Sequence, residues 1–133
     1  MSDLVEIRQG DAFQTFTGIK GIDLLLLDGW KPLYLPLLKQ LEPALFPGCL
    51  IVADDVIRLS EKLAPYLAYV RDATNGYVSS EIPLDDGLEL SIRRDLVALH
   101  ILHPGLGFAS RDRQRRPNAA AFAATRRPPQ TRK

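Results

Sequence analysis

The sequence has one cysteine, no long apolar run and no targeting pattern at its start, and each absence excludes a class of protein. Cys49 alone cannot form a disulfide within the chain, so a disulfide-stapled secreted domain is excluded. No window approaches the roughly 18 apolar residues of a membrane span, and the first ten residues lack the basic start and apolar run of a signal peptide. We therefore predict a protein of the reducing cytoplasm that has no membrane partner.

Charge is divided unevenly along the 133 residues. Residues 1–94 contain nine Lys and Arg against 14 Asp and Glu, whereas residues 95–133 contain eight against two. The last part is rich in Arg, Pro and Ala and holds too little apolar surface to offset the entropy of ordering. We predict one domain at 1–94 and a basic, mostly disordered extension at 95–133. Nucleic-acid binding is disfavoured, because no aromatic residues alternate with the arginines.

Three short apolar stretches predict strands. Leu4–Ile7 alternates between its two sides before a turn at Gly10. Residues 22–28 form a continuous apolar run, which is typical of a strand covered by helices on both faces. A Pro-Gly turn then precedes a second buried strand at residues 50–53.

Two stretches have helical spacing, and a hairpin follows them. The first helix is predicted from Leu37, Leu38, Leu41 and Leu45, with Pro36 in its first turn. Ser60 is a candidate N-cap for the second helix, whose apolar stripe is Leu63, Leu67 and Val70. Residues 76–84 and 88–94 predict two more strands, which the short loop between them makes antiparallel. This order predicts half of a doubly wound α/β sheet.

Carboxylates stand where the two buried strands end. Asp28 ends the first strand, and Asp54 and Asp55 end the second. Ligands bind at the carboxyl ends of parallel strands, and the tips of two neighbouring strands are about 5 Å apart. Three carboxylates there favour a divalent cation such as Mg²⁺, which removes their repulsion. Asp is also a common turn residue after a strand, so a purely structural interpretation stays open.

Lys31 lies three residues beyond Asp28. A bound cation beside it would disfavour the charged amine and lower its pKa, which would make it a usable general base near neutral pH. Without that cation Lys31 is an ordinary solvated charge, and the neighbouring Trp30 is an ordinary core residue.

Two segments, "LLLLDGWKPLYLPLL" and "LFPGCLIVADDV", resemble the cation-dependent, catechol O-methyltransferase-like enzymes that use S-adenosylmethionine. The resemblance implies an α/β fold that is the C-terminal half of a Rossmann-like, class I methyltransferase sheet and ends in an antiparallel hairpin. It implies these roles: metal ligands for Asp28, Asp54 and Asp55, the catalytic base for Lys31, an adenine-side turn for Gly10, Asp11 and Ala12, and packing in the cofactor region for Trp30.

The resemblance also implies cofactors and an acceptor molecule, and it shows that one motif of the family has no counterpart in this sequence. S-adenosylmethionine would supply a methyl group, and Mg²⁺ (or Mn²⁺) would bind and acidify the hydroxyl of a small acceptor molecule. The family commonly has Asn where this sequence has Asp55. Its glycine-rich cofactor turn has no counterpart here, so we expect a truncated domain without appreciable activity alone.

Two other functions remain open. The chain could be an inactive remnant, or an interaction module that pairs through an uncovered edge of the strand at 22–28; the same edge could form a homo-oligomer. The three aspartates could instead hold Mg²⁺ for phosphoester cleavage, although no phosphate-binding glycine loop or arginine cluster lies near them in the sequence.

Overall fold

The computed structural model describes residues 5–94 and 120–123. The described helices are α1 (Ala12–Thr15), α2 (Tyr34–Leu41) and α3 (Ser60–Arg71), and single 3₁₀ turns lie at Lys31–Leu33, Glu42–Ala44 and Ala73–Asn75. The described strands are β1 (Ile22–Leu27), β2 (Leu45–Asp54), β3 (Tyr77–Ile82), β4 (Leu88–Arg93) and β5 (Ala120–Ala123).

The strands form one mixed sheet in the order β3-β4-β2-β1-β5. β1 is parallel to β2 and to β5, while β4 is antiparallel to both β2 and β3. The predicted parallel pair of buried strands and the predicted hairpin are therefore confirmed. A mixed α/β sheet of this kind is part of a Rossmann-like fold.

The second strand begins earlier than the sequence predicted. Leu45, expected at the end of the first helix, is the first residue of β2 and pairs with Ile22. The Pro-Gly pair lies inside the strand, where Gly48 has a φ of +86° that favours glycine. The register with β1 shifts at this point, which indicates a bulge that bends the start of the strand.

The core lies between one face of the sheet and helices α2 and α3. Its sheet members are mainly alternate residues of β1 and β2, and its helix members repeat at helical spacing. They include Leu25, Leu27, Cys49, Ile51, Ala53, Leu37, Leu38, Leu41, Leu63 and Val70. Cys49 is buried in this core, and burial raises the pKa of its thiol to about 11.

A buried ion pair joins α3 to the hairpin. Glu89 is fully buried on the helix side of β4, and Arg71 at the end of α3 donates two hydrogen bonds to its carboxylate, at 2.9 and 2.6 Å. The Ser79 hydroxyl donates a third, at 2.6 Å. A buried carboxylate is costly unless it is paired in this way, so these contacts hold the hairpin against the helix.

The opposite face of the sheet differs from the prediction. In residues 5–94 the helices α2 and α3 pack on one face alone, and the apolar residues of the other face are outside the core cluster. Leu24 and Leu26 of β1 and Val52 of β2 are half-buried, whereas Ile92 of β4 and Val78 of β3 are exposed. Among the described residues, the continuous apolar run thus marks a central strand with α2 and α3 on one of its faces.

The first predicted strand is absent. Val5–Gln9 has no regular secondary structure, and Val5 and Ile7 are exposed. Alternation makes a strand only where a neighbouring strand supplies hydrogen bonds, and this segment has none among the described residues. Asp11 then caps the short helix α1 by accepting a hydrogen bond from Phe13 N at 2.9 Å.

Four residues of the predicted extension form a strand. Ala120–Ala123 pairs in parallel with Leu24–Leu27, so the edge of β1 that we expected to be uncovered is occupied by the chain itself. This overturns the expectation of an open β1 edge. The rest of 95–133, including most of the segment predicted to be disordered, lies outside the described residues. Among those that are described, no helix is long and apolar enough to cross a membrane.

Truncation tests the role of β5. A chain that ends at residue 119 should lose hydrogen-exchange protection at Leu24–Leu27. It should also self-associate more, because the unpaired edge of β1 can form backbone hydrogen bonds with another chain. A chain that ends at residue 125 keeps β5 and serves as the matched control. Exchange mass spectrometry and sedimentation velocity make the measurement, and identical behaviour of the two truncated chains would contradict the pairing.

Candidate active site

The candidate site lies at the carboxyl edge of β1 and β2. The parallel register pairs Leu27 with Ala53, so Asp28 and the Asp54-Asp55 pair emerge at the same edge of the sheet. The predicted neighbourhood of the two strand ends is confirmed. Their side chains diverge, however: Asp28 is 61% exposed, and alternation along β2 places Asp54 on the same face as Val52, away from the helices.

Lys31 is buried at this edge, in the turn between β1 and α2. Its side chain is only 7% exposed, and its ammonium nitrogen Nζ lies 2.7 Å from Asp55 Oδ2. It also donates a hydrogen bond of 2.8 Å to the Tyr34 hydroxyl. Asp28 Oδ1 is 3.9 Å away, too far for a hydrogen bond, so these contacts leave one of the three N–H donors.

The environment of Lys31 favours its charged form. Burial by itself lowers the pKa of Lys31, but the hydrogen bonds with Asp55 and Tyr34 outweigh it and the net pKa is raised. The lowering of this pKa was expected beside a bound cation, and the described contacts of the amine act in the opposite direction. The reason is that the amine meets a carboxylate and a phenol oxygen rather than a second cation.

Asp55 has an unusual backbone that aims its side chain at Lys31. Its φ of +64° lies in the left-handed region, which Asp tolerates better than most residues but which is uncommon outside glycine. The Asp55 carbonyl accepts a hydrogen bond from Leu59 N at 2.9 Å, so the residue closes the turn that leads into α3. Hydrogen bonding with Lys31 lowers the pKa of Asp55 despite the opposing effect of burial.

Tyr34 is the second hydrogen-bond partner of Lys31. Its hydroxyl oxygen accepts hydrogen bonds from Lys31 Nζ and from Gly29 N, the latter at 3.2 Å. Its ring packs edge-on against Tyr66 of α3, with centroids 5.7 Å apart. Burial raises the pKa of Tyr34, with Lys31 opposing, so the phenol stays protonated at neutral pH.

Arg58 is the second cation at Asp55. Its Nη2 lies 3.1 Å from Asp55 Oδ1, and its Nε lies 3.1 Å from Asp86 Oδ2 in the hairpin loop. Each oxygen of Asp55 therefore faces a different positive charge. The side chain of Asp55 is only 14% exposed between these two partners.

The predicted metal ligands do not assemble into a metal site. Among residues 5–94, no group of three His, Cys, Asp or Glu side chains could hold a metal ion. Asp55 carries two ion pairs, Asp28 points to solvent, and Asp54 lies on the other face of the sheet. The donor set of this arrangement does not fit Mg²⁺ or Mn²⁺. The same finding removes the support for Mg²⁺-dependent phosphoester cleavage.

The residues predicted to bind S-adenosylmethionine are divided between two places. Trp30 precedes Lys31 at the strand edge and is half-buried. Gly10, Asp11 and Ala12 lead into α1, which meets the other end of α2: the Gln40 side chain donates a hydrogen bond of 2.8 Å to the Phe13 carbonyl. Six residues of helix separate Tyr34 from Gln40, or about 9 Å along the axis. Trp30 and the turn at Gly10–Ala12 therefore lie towards opposite ends of α2.

Sequence reasoning assigned no role to Tyr34 or Arg58. Tyr34 follows Lys31 by three residues, which on a helical turn brings the two side chains together, so spacing alone could have suggested it. Arg58 follows Asp55 by three residues in the same way. The contact between Arg58 and Asp86 could not be inferred from spacing, because it joins two loops that meet only when the sheet forms.

The ion pair of Lys31 is tested by a stability comparison. Asp55→Asn should lower the free energy of unfolding by about 1–3 kcal/mol at neutral pH, because it removes the charged partner of a buried ammonium. Asp28→Asn, at an exposed carboxylate, is the control and should change it by less than about 0.5 kcal/mol. Urea unfolding measures both.

The pH dependence gives a second check on the same pair. The pKa of Asp55 is lowered from its ordinary value of 3.8 on folding, so its contribution is complete above that value and is lost as the pH falls through the folded-state pKa. The difference in the free energy of unfolding between wild type and Asp55→Asn should therefore shrink as the pH falls below the folded-state pKa of Asp55. A gap that stays constant would mean that the Asn variant perturbs packing rather than charge.

Comparison with solved structures places this fold among methyltransferases. A proposed caffeoyl-CoA O-methyltransferase from Staphylococcus aureus aligns with a TM-score of 0.55 and 21% identity, over 63% of this chain and 49% of that one. A methyltransferase from Geobacter sulfurreducens aligns with a TM-score of 0.59 and 21% identity, over 71% and 47% of the two chains.

The methyltransferase PaMTH1 of Podospora anserina, solved with SAH bound, aligns with a TM-score of 0.57 and 19% identity, over 65% and 47% of the chains. No family model matches the sequence. The chain thus spans about half the length of these structures. At such identities the likeness is one of fold: this chain has part of a methyltransferase-type α/β sheet.

Proposed function

We propose that this chain carries the acceptor-binding side of an O-methyltransferase-type domain, which transfers a methyl group from S-adenosylmethionine to the hydroxyl of a small molecule. The observation that carries the proposal is the buried ammonium of Lys31 at the carboxyl edge of β1 and β2. Ligands bind at this edge in open α/β sheets. The fold likeness to methyltransferases supports methyl transfer as the proposed chemistry.

The charge of Lys31 determines what it does to an acceptor. Two of its N–H groups are directed at Asp55 and Tyr34, so the remaining donor is the one that an acceptor oxygen would meet. A positive charge beside a hydroxyl favours the ionised form of that hydroxyl and lowers its pKa. In this proposal Lys31 holds the oxygen as an anion, the better nucleophile, and the hydroxyl proton leaves to solvent.

Asp55 and Tyr34 position the ammonium for this task. Both accept hydrogen bonds from Lys31, and Tyr34 is itself held by Gly29 N and by the ring of Tyr66. A lysine fixed in this way loses no further side-chain entropy when an acceptor binds. Such prior fixing of a charge is how preorganised sites favour a developing anion.

The proposal assigns the acceptor side alone to the described residues. Trp30 and the turn at Gly10–Ala12 lie towards opposite ends of α2, and they alone do not define a pocket for the donor. Magnesium is left out of the proposal, because the carboxylates expected to bind it are occupied or apart.

Binding of 4-nitrophenol tests the acceptor site directly. Its phenolate is yellow, so a titration against pH in excess protein gives the pKa of the bound phenol. We expect it to fall by about 0.5–1 unit, the effect of one nearby positive charge. Lys31→Gln should abolish the fall, whereas Lys62→Gln, at an exposed lysine outside the site, should preserve it. An equal fall in both variants would sink the assignment of Lys31.

A fusion protein tests the transfer reaction. This chain would be joined to the part of the Geobacter sulfurreducens methyltransferase that it does not span, and assayed with labelled S-adenosylmethionine and a panel of phenols. We expect no transfer by the chain alone, transfer by the fusion, and a loss of about 100-fold in the Lys31→Gln fusion. Transfer by the chain alone would show that it holds the donor by itself.

A further inference from the structure

The loop residue Arg58 forms an ion pair with Asp55, one of the three residues that the sequence predicted as metal ligands. Its Nη2 lies 3.1 Å from Asp55 Oδ1, and Lys31 Nζ lies 2.7 Å from the other oxygen of the same carboxylate. A divalent cation bound to Asp55 would have to approach between two positive charges. We infer that Arg58 is the resident cation of this strand edge and that the edge works without a divalent metal.

Arg58 is fixed in place by the backbone as well as by its side chain. Its own N–H donates a hydrogen bond of 3.0 Å to the Asp86 carbonyl, and its Nε lies 3.1 Å from the Asp86 carboxylate. The neighbouring N–H groups of Ile57 and Val56 donate to Asp86 O and Gly87 O, each at 3.0 Å. The guanidinium is therefore part of a seam between two loops, although its side chain is 58% exposed.

The seam requires a glycine at one position. Gly87 has a φ of +90°, and a Cβ atom there would lie 2.4 Å from the Ile57 side chain. The two loops can approach closely enough for Arg58 to reach both Asp55 and Asp86 because Gly87 has no side chain. Because the two loops pack this closely, the fold itself determines where Arg58 lies.

With Asp55 held by two cations, the other two predicted metal ligands do not form a metal site on their own. Asp28 is 61% exposed and Asp54 lies on the opposite face of the sheet from the helices. One exposed carboxylate gives weak, non-specific binding of Mg²⁺, which keeps its water shell unless several oxygens converge. The inference therefore depends on the geometry of Asp55 and its two partners, and it holds whether or not the proposed methyl transfer is correct.

Manganese binding tests the inference on the full chain. Isothermal titration and paramagnetic broadening of amide signals would be recorded for wild type, Arg58→Gln, Arg58→Lys and Lys62→Gln. In wild type we expect broadening around Asp54–Arg58 to be no stronger than around Asp72, an exposed carboxylate at the other end of α3. Removing the guanidinium in Arg58→Gln should raise Mn²⁺ affinity about tenfold or more, since one like charge is lost at close range.

The variants separate the role of Arg58 from general charge. Arg58→Lys keeps the positive charge and should show no gain, and Lys62→Gln removes a charge without touching Asp55. Adding Asp55→Asn to Arg58→Gln should abolish the gain. Site-specific broadening around Asp55 in wild type would overturn the inference, as would no gain in Arg58→Gln or an equal gain in Lys62→Gln. If Arg58→Gln does not fold, the wild-type broadening pattern decides. S-adenosylmethionine is absent from these measurements, so their outcome is separate from that of the proposed function.

Discussion

The ion pair between Lys31 and Asp55 is the contact on which the whole strand edge depends. A buried ammonium is stable only with partners, and Asp55 and Tyr34 supply them at 2.7 and 2.8 Å. Asp55 in turn needs a left-handed backbone to face inward, which the loop contacts of Arg58 maintain. Removing Asp55 would take the nearest charged partner from both Lys31 and, on that side, Arg58, so these groups form one unit rather than a set of separate interactions.

This unit changes how a lysine at a strand end should be interpreted. A general base must lose its own proton first, and the surroundings of Lys31 oppose that loss. A lysine whose charged form is favoured in this way is suited to stabilising an anion. The same residue type at the same position can therefore serve two opposite purposes, and its hydrogen-bond partners determine which.

Much of the fold could be predicted from the sequence, because strands β1 and β2 are apolar runs and helices α2 and α3 repeat at helical spacing. The carboxylates at the strand ends were also placed correctly, since parallel neighbours end at one edge. The alternation at Leu4–Ile7 was misleading, because a strand needs a neighbour that no local pattern reveals. Ala120–Ala123 consists mostly of small alanine side chains, so no local pattern predicts a strand there. It forms a strand by pairing with the edge of β1.

The site was predicted less well, for a physical reason. The sequence gives the position of each carboxylate but not the direction of its side chain. Asp54 is the last residue of β2, whereas Asp55 has the left-handed backbone of the following turn, and this change of backbone separates the directions of the two side chains. Lys31 contacts Tyr34, whose ring packs against Tyr66, and the two tyrosines come from different helices. Side-chain direction and the meeting of distant loops are properties of the assembled sheet.

The one-sided core of residues 5–94 has a consequence for the heat capacity change of unfolding. Leu24, Leu26 and Val52 are half-buried on the face of the sheet that lies outside the core cluster. The heat capacity change scales with the apolar area that unfolding newly exposes. Each of these three side chains therefore contributes less to that change than a fully buried side chain on the helix side of the same strands.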